Sequence, residues 1–359
     1  MAPVIEALRK EPWACCRVLA TAQHRDMLDQ VLQIFHVTPD LDLDIMRKNQ
    51  SLTELTARLL PKCEAALEQE QPDAVLAQGD TTTVLVMALV AFYKNIPFGH
   101  VEAGLRTRDM RNPFPEEMNR VLASALTRWH FAPTESAKAN LLAEGVPEQR
   151  IHVTGNPVID ALLATVKADG APAPGAQSGY RMILLTAHRR ENFGEPMREV
   201  FAAVRELVDL YEDVRVVYPV HPNPNVQKAA HELLGMHERI DLVDPLGYLA
   251  FVKAMQAAYF ILSDSGGVQE EAPALGKPVL VLRSETERPE AVSAGVVKLV
   301  GPNRERILAE SKSLLDDPAA YRAMARGVSP YGDGQAASRI AAILRADLSP
   351  QTDRTPAPV

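Results

Sequence analysis

The chain is poor in cysteine, with three in 359 residues: Cys15 and Cys16 are adjacent and Cys63 stands alone. They make no Cys-x-x-Cys pair and no metal-ligand spacing, and an odd count in a chain of this length suits a reducing compartment, so the expected location is cytoplasmic. Long apolar runs are lacking too. No stretch approaches the length needed to span a bilayer, and Met1–Lys10 has no signal-peptide h-region, so no membrane partner is expected. Nor is positive charge in excess. With 38 Lys and Arg against 46 Asp and Glu, the net charge is -8, the wrong sign for a nucleic-acid binder that draws its affinity from phosphate neutralisation. A small anionic ligand in a locally positive site stays open. No Gly-x-Gly-x-x-Gly follows a strand-like run and no ligand cluster has metal spacing, so no cofactor is expected, neither metal nor nicotinamide. Internal repeats are absent.

What is present is an alternation of short apolar runs with helical stretches, the pattern of parallel sheets covered on both faces. At 359 residues, 47% of them hydrophobic and 23% charged, the chain exceeds the usual size of one core and reads as two doubly wound α/β domains. In the first, residues 1–155, strands are expected at Arg17–Thr21, Ala74–Ala77, Pro97–Val101, Trp129–Ala132 and His152–Thr154. The second, residues 156–335, is expected to hold Met182–Thr186, Val214–Pro219, Ile240–Val243, Phe260–Leu262, Val279–Leu282 and Val297–Val300. Gly155-Asn156-Pro157 marks the passage between them, and Ala168–Gly179 reads as an exposed loop just inside the second. A helix over residues 336–347 is expected to pack back on the first domain, with a disordered, proline-containing tail over 348–359.

The chain opens on a helix, with Val4, Ile5 and Leu8 on one face, ahead of the strand at Arg17–Thr21. Doubly wound folds usually place their first strand in the middle of the sheet. An apolar strand is therefore expected upstream of Met1.

The most informative run is Tyr259–Leu262 followed by Ser263-Asp264-Ser265-Gly266-Gly267-Val268-Gln269-Glu270-Glu271. It reads as a buried strand, a tight turn, and a helix from Val268 through Leu275. The first amides of a helix lack intrahelical partners and carry partial positive charge, and paired glycines let a phosphate approach the backbone. The plain alternative makes Ser265 an N-cap and the two glutamates dipole partners. The turn lies at the carboxyl end of a sheet, where open α/β folds bind ligands, and this favours a binding site.

Asp80 and Glu102 each follow a parallel strand on the same sheet edge, and Glu116 opens a helix after a loop rich in Arg, Asp and Asn. Read locally, Asp80 serves equally as a helix N-cap, Glu102 as a salt-bridge partner of Arg106, and Glu116 as a dipole partner. Three carboxylates around one site would also allow one to act as base and another as acid. His188, followed by Arg189 and Arg190, lies past a strand in the second half; Tyr218–Asn225 and Arg283–Glu290 repeat that arrangement after later strands.

Taken together these segments resemble the non-hydrolysing UDP-N-acetylglucosamine 2-epimerases. The matching runs are Thr21–Arg25, Gln78–Thr83, Gly99–Thr107, Pro115-Glu116-Glu117, Ala187–Glu191, Tyr218–His221, Asp264–Pro273, Thr286–Ala291 and Pro330–Gly334, in order along nearly the whole chain. The resemblance implies two Rossmann-like domains facing a cleft, the GT-B arrangement, and interconversion of UDP-N-acetylglucosamine and UDP-N-acetylmannosamine through loss of UDP and a 2-acetamidoglucal intermediate. It assigns proton handling to Asp80, Glu102 and Glu116, and a pyrophosphate contact to His188. Ser265, Gly266 and Gly267 match phosphate or ribose contacts, Glu271 the ribose hydroxyls, Arg288 a nucleotide-side position and Phe251 the uracil neighbourhood. The resemblance further implies a UDP-sugar substrate, a homodimer and, in some members, a second UDP-N-acetylglucosamine as activator, whose pocket Gln23 and Glu116 fit and from which Asp26 and Asn49 depart; apart from that pocket, Gln78 stands before Gly79-Asp80 where the family usually has histidine. Two other readings stay open at this point: a GT-B glycosyltransferase, and a nucleotide-sugar-binding protein without catalysis.

Overall fold

A computed structural model describes residues 1–21, 31–45, 47, 50–167, 179–189 and 192–348. Gln23, Asp26, Asn49, Arg190, Glu191 and the tail after Leu348 lie outside the described residues. The chain divides into two compact units, Met1–Ala161 together with the chain from Gly332 onward, and Leu162–Tyr331.

In the first unit, β1 (Leu19–Ala20) and β2 (Leu41–Asp42) form a parallel pair. A second sheet runs in the order β3 (Val75–Gln78), β4 (Phe98–Val101), β5 (Trp129–Ala132) and β6 (Ile151–Val153), all parallel. Every residue of β4 and of β5 is buried, as expected where helices cover both faces of a parallel sheet. Helix Leu52–Glu70 starts at a capping box, in which Ser51 accepts from the Glu54 amide while Glu54 reaches back to the Ser51 amide. Helix Ala336–Leu348 returns to this unit. Its Ile340 and Leu344 pack with Val4 and Leu8 of helix Ala2–Arg9 and with Trp129 and Phe131.

The second unit holds one six-stranded parallel sheet, ordered β9 (Ile240–Val243), β8 (Val214–Pro219), β7 (Arg181–Thr186), β10 (Phe260–Ser263), β11 (Val279–Val281), β12 (Val297–Leu299). The chain therefore winds outward from β7 in one direction and from β10 in the other. Between those two strands lies the switch point at which doubly wound sheets open a ligand crevice. Helix Glu195–Leu210 shows how the sequence covers this sheet: Met197, Val200, Phe201, Val204, Leu207 and Val208 recur at helical spacing and are all buried. Each such side chain contributes roughly 1.5–3 kcal/mol relative to exposure.

The expected fold class is the observed one. Strand β2 was not among the expected strands. It is two residues long and no residue of it is buried, so it lacks the apolar run that betrays a buried strand. Among the described residues no helix is long and apolar enough to cross a membrane.

Candidate active site

On the first unit, the carboxyl ends of β3 and β4 carry Gln78-Gly79-Asp80 and Glu102. Gly79 adopts φ +85°, a region an L side chain enters only at a cost. The buried ring of His100, at 2.7 Å, donates from Nε2 to the Gly79 carbonyl. Burial holds that imidazole down at about 4, against the weaker upward pull of the same hydrogen bond, so it is neutral at ordinary pH. The turn delivering Asp80 is thus pinned by an uncharged group from the neighbouring strand.

Glu102 adopts φ +67°, a left-handed conformation without a glycine's freedom, and such positions cluster where geometry matters for function. Gln78 Nε2 donates to Glu102 Oε2 at 3.1 Å and to Asn156 Oδ1 at 3.2 Å. Two residues on, Gly104 at φ +90° lies so close to the carbonyl of Ala137 that a Cβ would fall 2.3 Å from its oxygen, which leaves glycine as the residue that fits.

Glu116 is the first residue of helix Glu116–Leu126, and neighbours on that helix hold the edge together. Asn119 Nδ2 donates to the Asp80 carbonyl at 2.8 Å. Arg120, buried, places Nη2 3.6 Å from Asp80 Oδ2 and Nε 3.5 Å from Glu117 Oε2. Glu117 in turn accepts from the Thr107 and Arg108 amides at 3.0 and 2.9 Å, fixing the loop that connects β4 to this helix. Asp80, Glu102 and Glu116 are all only partly buried.

The local alternatives for two of these residues fail. The cap of helix Thr82–Tyr93 is Thr81, not Asp80. Arg106 forms a bidentate pair with Glu144 at 2.7 and 2.8 Å and donates to Ser124, so it is spoken for by residues other than Glu102.

The second unit gathers His188, Ser265, Gly266, Gly267, Glu271 and Arg288 beside the β7/β10 switch. Ser263 lies opposite Thr186 in register, so His188 and Asp264 leave adjacent strands together. Helix Gly266–Ala274 begins two residues earlier than expected, and both glycines sit in its first turn. The reason is a close approach: a Cβ on Gly266 would lie 2.6 Å from Arg288 Nη1. Ser265 occupies the N-cap position but its side chain makes no cap bond.

Arg288 is nearly buried and ion-paired twice, Nε to Glu270 at 2.5 Å and Nη1 to Glu287 at 2.6 Å. Burial pushes the Glu287 carboxyl up, yet Arg288 and Arg283 together bring it down to about 2. Glu271 has the opposite fate. Burial, reinforced by Glu270, lifts it to about 7, and a 3.3 Å hydrogen bond from Tyr248 only partly offsets this. Tyr248 begins helix Tyr248–Ala257, which also carries Phe251, partly buried.

Sequence reasoning did not single out Asn119, Arg120, Tyr248 or Asp264. Asp264 reads from the sequence only as part of a turn, although it is fully buried and accepts from the His188 and Arg189 amides at 2.8 Å each. Its position directly after a buried strand, before a serine and two glycines, was the available signal.

Two parallel-sheet units, one edged with partly exposed carboxylates and the other with a glycine-opened helix start and a buried arginine at its switch point, define a Rossmann-like α/β class of protein. A UDP-N-acetylglucosamine 2-epimerase family model matches residues 6–345. The UDP-N-acetylglucosamine 2-epimerase of Escherichia coli strain K12 is 50% identical over 355 residues, 96% of this chain and 94% of that one. That of Bacillus subtilis strain 168 is 52% identical over 342 residues, 95% and 90% of the two chains. Among solved structures, the UDP-GlcNAc 2-epimerase from Neisseria meningitidis bound to UDP-GlcNAc superposes with a TM-score of 0.90 at 47% identity, covering 96% of each chain. The chain belongs to the UDP-N-acetylglucosamine 2-epimerase family.

Proposed function

We propose that the protein interconverts UDP-N-acetylglucosamine and UDP-N-acetylmannosamine. A carboxylate removes the proton from C2 while the bond from C1 to the UDP oxygen breaks, giving 2-acetamidoglucal and UDP. UDP then adds back to C1 as a proton reaches C2 from the opposite face. The observation that carries this reading is the trio Asp80, Glu102 and Glu116, three partly exposed carboxylates at the carboxyl end of one parallel sheet. A weakly acidic carbon needs a positioned base, and a return on the other face needs a second acid. The departing pyrophosphate calls for donors, which His188, the hydroxyl of Ser265, the amides of Gly266 and Gly267, and Arg288 supply on the second unit. Glu271 is assigned to the ribose hydroxyls and Phe251 to the uracil. A homodimer, and activation by a second UDP-N-acetylglucosamine, belong to the same proposal.

Incubation with UDP-N-acetylglucosamine alone in heavy water tests it. Deuterium at C2 of both epimers is the expected result, and product that retains the original hydrogen would overturn the mechanism. A glycosyltransferase would need an acceptor to turn over.

A further inference from the structure

Among the described carboxylates on the second unit's sheet edge, Asp264 is the one with no exposed surface. Its Oδ2 accepts from the backbone amides of His188 and Arg189, and more distantly from Asn192 Nδ2 at 3.4 Å. Its Oδ1 stands 3.3 Å from His188 Nδ1. No helix-dipole or loop-pinning argument requires that second oxygen to face the imidazole. Among the described residues that oxygen has no hydrogen-bond partner, so the contact is electrostatic: a ring lone pair at Nδ1 would face the carboxylate oxygen, which favours the tautomer with the proton on Nδ1 and leaves Nε2 as the ring's outward nitrogen.

The other groups around the ring pull the opposite way. His221, leaving the neighbouring strand β8, stacks on it with centroids 5.5 Å apart and planes 9° from parallel. Arg189 adjoins it in sequence. Burial lowers the affinity of His188 for a second proton, Asp264 raises it, and His221 and Arg189 lower it again. The free ring therefore stays neutral at ordinary pH. A neutral imidazole of this tautomer presents only a lone pair at Nε2, which a phosphate oxygen repels.

We infer that Asp264 is a positioning residue for His188, and that a diphosphate bound beside the helix start at Gly266 recruits one proton from solvent onto His188 Nε2. The bond formed is N–H at Nε2, the proton comes from the buffer, and no other bond changes. Asp264 supplies the buried counter-charge for the resulting imidazolium on one side and the phosphate supplies it on the other. This rests on the proposed role of the second unit in holding UDP. It adds that the pyrophosphate donor is assembled by binding rather than standing charged beforehand, so each departure of UDP meets a cation already matched to it.

The test is calorimetric titration of UDP into the full chain in buffers of differing ionisation enthalpy, at a pH about one to two above the value near 6 at which a terminal phosphate titrates. The observed heat is expected to vary with the buffer, with up to about one proton taken up per UDP, the uptake growing as pH falls toward neutrality. His188→Gln, at a side chain 38% exposed, is expected to abolish the uptake and weaken UDP about tenfold or more, as loss of a charge-assisted hydrogen bond does. Asp264→Asn should reduce both. Because that variant removes a buried acceptor and risks misfolding, nitrogen-detected NMR of the wild-type histidines provides an independent reading: His188 free of ligand is expected as the Nδ1–H tautomer. Tight UDP binding with no buffer dependence, uptake that survives His188→Gln, or the Nε2–H tautomer would overturn the inference while leaving the UDP site intact. Failure of wild type to bind UDP would instead bring down the role of the second unit itself, and the inference with it.

Discussion

At the ends of β3 and β4 the carboxylates are only partly buried. Asp80 lies 3.6 Å from the nearest Arg120 nitrogen with its side chain 34% exposed, and Glu102 accepts from the neutral amide of Gln78. At the end of β10 and along the helix that follows, the same residue types are sealed in: Glu270 meets Arg288 at 2.5 Å, and Asp264 holds two backbone amides with no surface exposed. A carboxylate that must gain and lose a proton in each turnover needs access to its partner. One that orders an arginine or a loop needs the reverse. The same side chains thus differ in burial and in how closely their partners approach, and in the proposed reaction the two sheet edges divide proton transfer from anion holding.

The sharpest way to break this comparison is Glu102→Gln. Turnover is expected to fall by about 10²–10⁴-fold, the range for loss of a general base, while UDP affinity from calorimetry stays within about threefold. Equal losses in both would erase the division. Next in size is Arg288→Ala, which leaves Glu270 and Glu287 buried without this cation and should cost about 3–5 kcal/mol in urea unfolding. Asp80→Asn, breaking a long and partly exposed ion pair, should cost less than about 1 kcal/mol.

A fourth prediction concerns pH. Glu271 has an ordinary carboxyl value of 4.5 when unfolded and about 7 when folded. Its folded form holds the proton more tightly, so the favourable contribution is complete below the lower value and is lost as pH rises through the upper one. The loss is roughly 3 kcal/mol, and Glu271→Gln should flatten the dependence of urea midpoint on pH across that window. The smallest effect separates two helix starts. Thr134 accepts from the Ala137 amide at 3.0 Å, so Thr134→Ala should cost about 1 kcal/mol. Ser265 caps nothing with its side chain, and Ser265→Ala should change stability by less than about 0.5 kcal/mol.

Much of this architecture was legible beforehand. The strands of the second unit announce themselves as Val, Ile and Leu runs because both faces of a parallel sheet are covered, and alternation with helical stretches fixes their direction. The site was legible only as far as strand ends are. Glu102 follows β4 by position, but its left-handed backbone has no signature in a residue that usually avoids it. Pairing Glu102 with Arg106 assumed the spacing of a helix; residues 102–106 are not helical, and Arg106 turns to Glu144, 38 positions away. Long-range partners of that kind are chosen by tertiary packing, which no local pattern carries. For the same reason Asp264 was visible as a residue and invisible as a buried one.

The return of helix Ala336–Leu348 to the first unit also fixes what light emitted by the molecule reports. Trp13 and Trp129 are its two tryptophans. Trp129, 1% exposed, donates from Nε1 to Asp347 at 2.7 Å, and Trp13 packs against the same cluster. The stretch Leu162–Tyr331 contains none. Intrinsic tryptophan fluorescence is therefore blind to the second unit and watches only the seam where the first and last described helices meet. Circular dichroism, which sees both units, will coincide with it during unfolding only if the two come apart together.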